Sequence, residues 1–279
     1  MVARKRRSRI VEPVWPGDYV FVSRYAEDVF GQRRNSLLGA LLARTSSIAL
    51  SFAEPVRGRW LEIGCGPGGL LPSLTPRATN VVGVDINKPA LQDAAVLTKT
   101  MCGAVLSVAG TAHSLPFRSG CFDGILALET LEHCDEDRAL PEIWRVLAPR
   151  GRFVFTVPVE IGTAAFVRQM IRSAFHLQDS YWNKMPYGRK EFVQMALLGL
   201  DKELHQSRRS ASPSSHLFFS YRKLLTDVER LFQVDRVGRS PFALPGPWNF
   251  SIVVSARRKP VHSNRTGMHE VYVSRAQPV

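Results

Sequence analysis

The stretch from Leu61 to Gly69, LEIGCGPGG, most constrains what this chain can fold into, because an apolar run breaks abruptly into a loop with four glycines. The run predicts a buried strand. The glycines predict a tight turn whose backbone N–H groups approach a ligand closely. Gly64, Gly66 and Gly69 fit the GxGxxG spacing of dinucleotide sites, and glycine loops for other nucleotide-like ligands meet the same spacing. Asp85 lies 21 residues beyond Gly64, at the end of the next apolar run, where a carboxylate can accept hydrogen bonds from two ribose hydroxyls. Glu62 separates the ligand classes. A carboxylate two residues before the first glycine is poorly placed for a pyrophosphate and well placed for an ammonium group.

Around this loop, β-branched runs alternate with helical patterns, which predicts a parallel sheet with crossover helices. Strands are expected at 59–64, 80–86, 104–110, 122–128 and 152–158. LPSLTP, KPALQDAAVLTKTM and LPEIWRVL supply helices between them, the last ended by turn chemistry in APRG. Further strands are expected at 232–239 and 248–258. Upstream, Leu38, Leu41, Leu42, Thr45, Ile48 and Phe52 recur at three- and four-residue steps, which predicts a core-facing helix over 36–53. The resulting division is a basic arm and helix at 1–57, a ligand-binding core at 58–160, a helical insert at 161–230, closing strands at 231–258 and a polar tail at 259–279. The insert contains an amphipathic 164–175, an aromatic-rich 181–189 and a polar loop at 205–216. It is expected to cap the sheet, with His216 and Tyr221 opening a helix before the next strand.

Four blocks now stand in order: WLEIGCGPGG, VVGVDINKPAL, GTAHSLPFRSGCFDGILALETLEH and EIWRVLAPRGRFVFTVP. Together they resemble the class I S-adenosylmethionine-dependent methyltransferases, and within them the group that includes the ubiquinone/menaquinone C-methyltransferases. The resemblance covers roughly 58–160. It implies an α/β fold: a doubly wound, Rossmann-like sheet, mostly parallel with an antiparallel last strand, and a helical cap after the fifth strand. It implies that Glu62 and the backbone of Gly64, Cys65, Gly66 and Gly68 hold the methionine end of S-adenosyl-L-methionine. Asp85 would take the ribose hydroxyls, with Ile86 against the adenine face. Thr111, just before Ala112, stands where relatives usually have an Asp that receives the adenine amino group, and its hydroxyl can accept one weaker bond. Leu128 and Glu129 would lie beside the cofactor at the carboxyl edge of the sheet. Asp123 matches a position that is mainly structural in the family.

Methyl transfer from a sulfonium needs few obligatory side chains, since the cofactor carries its own leaving group and the protein aligns the acceptor. His133 in LEHC is the candidate base, because histidine titrates near neutral pH and this one follows the fourth strand. A packing role fits the same residue. The aromatic insert points to an apolar, aromatic or lipid-like small-molecule acceptor. The function expected is therefore methyl transfer to such a molecule; an RNA (tRNA) methyltransferase is the second reading and a non-catalytic S-adenosylmethionine-binding protein the third. The net charge of +13 bears on the second. Ten basic residues face five acidic ones over 1–57, nine face eleven over 58–160, and eighteen face eight over 161–279. Basic flanks around an acidic core attract nucleic acid or an anionic membrane surface. Against nucleic acid stands the lack of an NPPY-like tetrapeptide or a Pro-Cys nucleophile. The four cysteines, Cys65, Cys102, Cys121 and Cys134, form no CxxC pair, so no metal site is expected. With no apolar secretory run after the basic first residues, a cytoplasmic location is expected.

Overall fold

The computed structural model describes residues 37–99, 104–159, 219–242 and 249–260. The apolar run before the glycine loop is strand β1 (Arg59–Ile63). It is followed by β2 (Asn80–Asp85), β3 (Ala104–Ala109), β4 (Phe122–Leu128), β5 (Leu147–Pro158), β6 (Phe232–Ser240) and β7 (Ser251–Arg258). The helices are α1 (Leu37–Ala53), α2 (Leu71–Leu74), α3 (Lys88–Thr98), α4 (Glu136–Val146) and α5 (Tyr221–Leu231). All seven strands join one sheet in the order β3-β2-β1-β4-β5-β7-β6. Strands β1 to β5 are parallel, and β7 runs antiparallel to both β5 and β6. The winding reverses between β1 and β4, the switch point at which open α/β sheets bind ligands. This is the doubly wound, mostly parallel sheet that the four blocks imply.

Alternation along the strands supplies two cores. On one face Leu61, Ile63, Ile125, Phe153 and Phe155 pack with Ile143 of α4 and Val228 of α5. On the other, Trp60, Leu126, Val154 and Val253 pack with Phe52 of α1, Leu71 of α2 and Leu91 of α3. The indole of Trp60 fills the space over Gly124, where an added Cβ would sit 2.3 Å from the ring. Local signals start the helices. Asn87 caps α3 by accepting from Ala90 N at 3.2 Å, and Asp135 caps α4 by accepting from Asp137 N at 3.1 Å. Glu136 and Asp137 occupy the first turn of α4 and Arg145 its last, which matches the helix dipole. Thr45 of α1 meets Ser240 of β6 in a buried 2.6 Å hydrogen bond that docks the helix on the closing strand.

Two boundaries differ from the sequence expectation. Helix α4 runs straight into β5 at Leu147 instead of ending in a separate APRG turn. Arg150, not Gly151, takes the left-handed conformation, at φ +65°. Gly151 is needed for space, because a Cβ there would lie 2.7 Å from Leu147 Cδ1. Strand β7 begins at Ser251, three residues after the expected start. Helix α5, within the segment assigned to the insert, packs Leu224 and Val228 on the sheet core, with Tyr221 partly buried against it. The side chains of Leu38, Leu41 and Leu42, the aromatic part of the insert with His216, and the tail beyond 260 lie outside the described residues. Among the described residues, no helix is long and apolar enough to cross a membrane.

Candidate active site

The glycine loop is built by hydrogen bonds from β1 to the end of β2. Gly64 N and Cys65 N both donate to Val84 O, at 2.8 and 3.2 Å, and Gly68 N donates to Cys65 O at 2.9 Å. Gly64, Gly66 and Gly68 all have positive φ. Their neighbourhoods differ. A Cβ on Gly64 would collide with Thr130 and one on Gly68 with Ala94, whereas one on Gly66 would meet nothing within 4 Å. The loop is therefore packed on both sides of an open backbone position at Gly66.

Asp85 fixes that open position. Gly66 N donates to Asp85 Oδ2 at 2.8 Å, and Asn87 N donates to Oδ1 at 2.7 Å. Each carboxylate oxygen keeps a second lone pair, so Asp85 is oriented and can still accept two hydroxyl protons. Beside it Ile86 is 77% exposed, an apolar side chain left on the mouth of the loop. Glu62 is the opposite case: it is only 4% exposed, and its Oε2 meets no hydrogen-bond partner. Burial, reinforced by the negative charge of Asp85, pushes its carboxyl up to about 8. A lone buried carboxyl of this kind costs free energy until a donor, ideally a cation, meets it. Gly83, paired with Glu62 in the sheet, leaves room for Cys65 Sγ, which a Cβ would approach to 2.7 Å. Cys65 is buried, and burial, with Glu62 and Asp85 adding, raises its thiol well above the ordinary range, so it fills space in its neutral form.

These features decide between the two ligand classes left open by GxGxxG. No Lys or Arg occurs between Trp60 and Pro76. Helix α2 after the loop has only four residues, starts at an uncapped Leu70 and contains Pro72, so few N–H groups point outward for a pyrophosphate. The donor set is two carboxylates and an open glycine backbone. It fits a ligand with an ammonium and a ribose.

The other predicted residues surround the ends of β3 and β4. Gly110 N donates to Asp85 O at 3.0 Å, which ties the loop carrying Thr111 and Ala112 to the end of β2. Ala112 is buried and Thr111 half-buried. Leu128 ends β4 half-buried, and Glu129 follows at φ +48°, held there by its N–H, which reaches both Thr156 O and Oγ1 at 3.0 Å. A left-handed glutamate at a strand end is backbone strain at the switch point. His133 is exposed in a single 3₁₀ turn, Leu131–His133. Asp123 holds Arg59 N at 2.8 Å on the far edge of the sheet, a structural contact.

Four residues that sequence reasoning missed organise this site. The Thr130 hydroxyl shares its one proton between Leu128 O, at 2.9 Å, and Ile63 O, at 3.2 Å, and so bridges β1 and β4 against Gly64. Glu142 of α4 accepts from Leu115 N at 2.7 Å, while Arg145 donates to Phe117 O at 2.7 Å and Leu115 O at 2.9 Å. The pair staples the LPF loop to the helix. His113 links Thr111 to Asp135. Burial, with Arg138 adding and Asp135 opposing, holds its pKa below the ordinary histidine value.

Comparison with known proteins bears on the same segment. Residues 61–155 match the model of the methyltransferase domain family. The match covers 95 of the chain's 279 residues, so over this segment the chain is similar to a methyltransferase domain. The O-methyltransferase cnsE of Penicillium expansum is 34% identical over 143 residues, which cover 50% of this chain and 50% of that protein. The sterol 4-C-methyltransferase strm-1 of Caenorhabditis elegans is 27% identical over 150 residues, 53% of this chain and 43% of its own length. The chain thus spans about half the length of these curated relatives. Among solved structures, the N-methyltransferase NodS of Bradyrhizobium japonicum superposes with a TM-score of 0.53 at 14% identity, covering 79% of this chain and 98% of that one. The geranyl diphosphate C-methyltransferase of Streptomyces coelicolor gives 0.55 at 14% identity, covering 80% and 79%. At such identities the likeness is one of fold, and it extends the methyltransferase domain fold beyond the matched segment.

Proposed function

We propose that the chain is an S-adenosylmethionine-dependent methyltransferase acting on a small-molecule acceptor of apolar, aromatic or lipid-like character. The observation that carries this reading is Glu62: a buried carboxyl with a partnerless oxygen, one strand away from the oriented carboxylate of Asp85, at the switch point of the sheet. When bound, S-adenosylmethionine supplies a methyl group on a cationic sulfur. Glu62 would hold its ammonium, the open position at Gly66 would leave room for its methionine end, Asp85 would take the ribose and Ile86 one face of the base. Cys65 and Gly83 pack beneath the loop. Two carboxylates, with no Lys or Arg between Trp60 and Pro76, suit both positive charges of that ligand. Leu128 and the strained Glu129 form the wall toward the acceptor, and His133, exposed beyond them, takes a proton from an acceptor that must lose one.

Two kinds of relative support a small molecule as acceptor: an O-methyltransferase and a sterol C-methyltransferase, with a geranyl diphosphate C-methyltransferase sharing the fold. The test uses the purified chain, isotopically labelled methyl donor and cell extracts fractionated into small molecules, lipids and RNA. Label is expected in an organic-soluble small molecule. Label in RNA alone would overturn the acceptor class while leaving the donor reading intact. Replacing His133 by Gln should lower turnover without weakening donor binding, and unchanged turnover would remove His133 from the reaction.

A further inference from the structure

The loop after β3 carries a chain of hydrogen bonds that the reading above leaves unused. Ala109 stands in register with Asp85, so Thr111 begins where β3 ends beside the ribose carboxylate. Strands β1, β2 and β3 are neighbours, and with the amino-acid part at Glu62 of β1 and the ribose at Asp85 of β2, as proposed above, the base would fall toward the end of β3. The residue reached after Glu62 and Asp85 is Thr111.

The proton inventory around Thr111 is fixed by one bond. Asp135 N lies 2.9 Å from His113 Nε2, and a backbone amide can only donate, so Nε2 carries a lone pair. In the neutral ring the proton is then on Nδ1, which is 3.3 Å from Thr111 Oγ1. His113 N also lies 3.3 Å from the same oxygen and donates to it. A threonine hydroxyl has two acceptor positions and one proton. Here His113 uses both acceptor positions, and the proton is what Thr111 has left to offer.

We propose that Thr111 donates a hydrogen bond to an acceptor nitrogen of the adenine ring, and that His113, anchored by Asp135 N at the start of α4, is the positioning residue that enforces this polarity. The inference rests on the S-adenosylmethionine reading of the site. It reverses the role expected for position 111, which was to accept from the adenine amino group. The base is thus recognised by a ring nitrogen, and an acceptor-only side chain at 111 is mismatched to it.

The test is calorimetric titration with S-adenosylhomocysteine of the wild-type chain and of Thr111→Val, Thr111→Asp, His113→Ala and His113→Gln. Thr111→Val is expected to weaken binding about tenfold, the ordinary effect of one lost hydrogen bond. Thr111→Asp should weaken it at least as much. His113→Ala should cost several-fold and His113→Gln recover most of that, since the amide can accept from Asp135 N and donate to Thr111. With the 1-, 3- and 7-deaza analogues of the ligand, the penalty of Thr111→Val should vanish for one analogue. Thr111→Asp binding as tightly as wild type, or more tightly, would overturn the proposal, as would a neutral Thr111→Val. A second readout needs no variant: nitrogen-15 NMR of the ligand-free chain should find His113 with its proton on Nδ1, and a proton on Nε2 would overturn the polarity argument. If wild type takes up no ligand at about 1 mM, the cofactor reading itself fails and this inference falls with it.

Discussion

Two glutamates in this molecule have opposite surroundings. Glu142 of α4 is matched at every oxygen: Arg145 Nε meets Oε1 at 2.7 Å, and Oε2 receives Arg145 Nη2 at 2.8 Å and Leu115 N at 2.7 Å. Its pKa is lowered, first by the Arg145 hydrogen bond. Glu62 of β1 is more deeply buried, has an oxygen with no partner, and is raised to about 8. The first arrangement is finished by the fold and stabilises it. The second is left incomplete by the fold, and a cationic ligand would complete it. A buried carboxyl without its partner is costly, and at the switch point of the sheet a cation would remove that cost.

The largest effect expected from this contrast is on binding. Glu62→Gln should lower affinity for S-adenosylhomocysteine by about 50-fold, since it removes one charge from a buried ion pair. At pH 7 the same variant should stabilise the ligand-free chain by about 3 kcal/mol, because no carboxyl remains that must take up a proton on folding. Thermal melts with and without ligand measure both. A variant that loses binding and stability together would break the distinction.

Arg145→Ala should do the reverse, costing about 2 kcal/mol of stability by orphaning Glu142 and two loop carbonyls. Its binding should fall less than that of Glu62→Gln. Denaturant titration beside calorimetry compares the two.

The pH dependence is smaller per step and has a definite sign. Glu62 titrates at about 4.5 unfolded and about 8 folded, so between these values the folded chain holds the extra proton. Its contribution to the ligand-free stability is therefore present in full below about 4.5 and is lost as pH rises toward 8, with a slope approaching 1.4 kcal/mol per pH unit. Glu62→Gln should abolish that slope. Denaturant midpoints across this range would show it.

Ile86→Ala is the mildest probe. Exposed Ile86 supports nothing in the core, so stability should stay within about 0.5 kcal/mol while affinity drops about threefold. A stability loss would place Ile86 in the fold and not at the ligand.

Strand positions were readable in the sequence because each is an apolar run of strand length, and Gly64 and Asp85 were readable because a fixed spacing along one β-loop-β unit brings them together. The α4–β5 junction was misread because glycine in APRG looks like a turn, whereas Gly151 answers to the crowding of Leu147. The polarity of Thr111 was hidden for a different reason. It depends on Asp135, 24 positions away, whose amide sets the His113 tautomer. The Glu142–Arg145 staple likewise spans 27 residues to Leu115, and no local pattern reports such a bond.

The central claim is that Glu62 waits for a cation. It is tested most directly by titrating the chain with S-adenosylmethionine at about pH 6.5, below the raised Glu62 value and the α-amino range, in two buffers of different ionisation enthalpy. One ligand should bind per chain with release of a proton as Glu62 ionises, and Glu62→Gln should lose the proton and most of the affinity. Binding without proton release, or equal binding by Glu62→Gln, would contradict it.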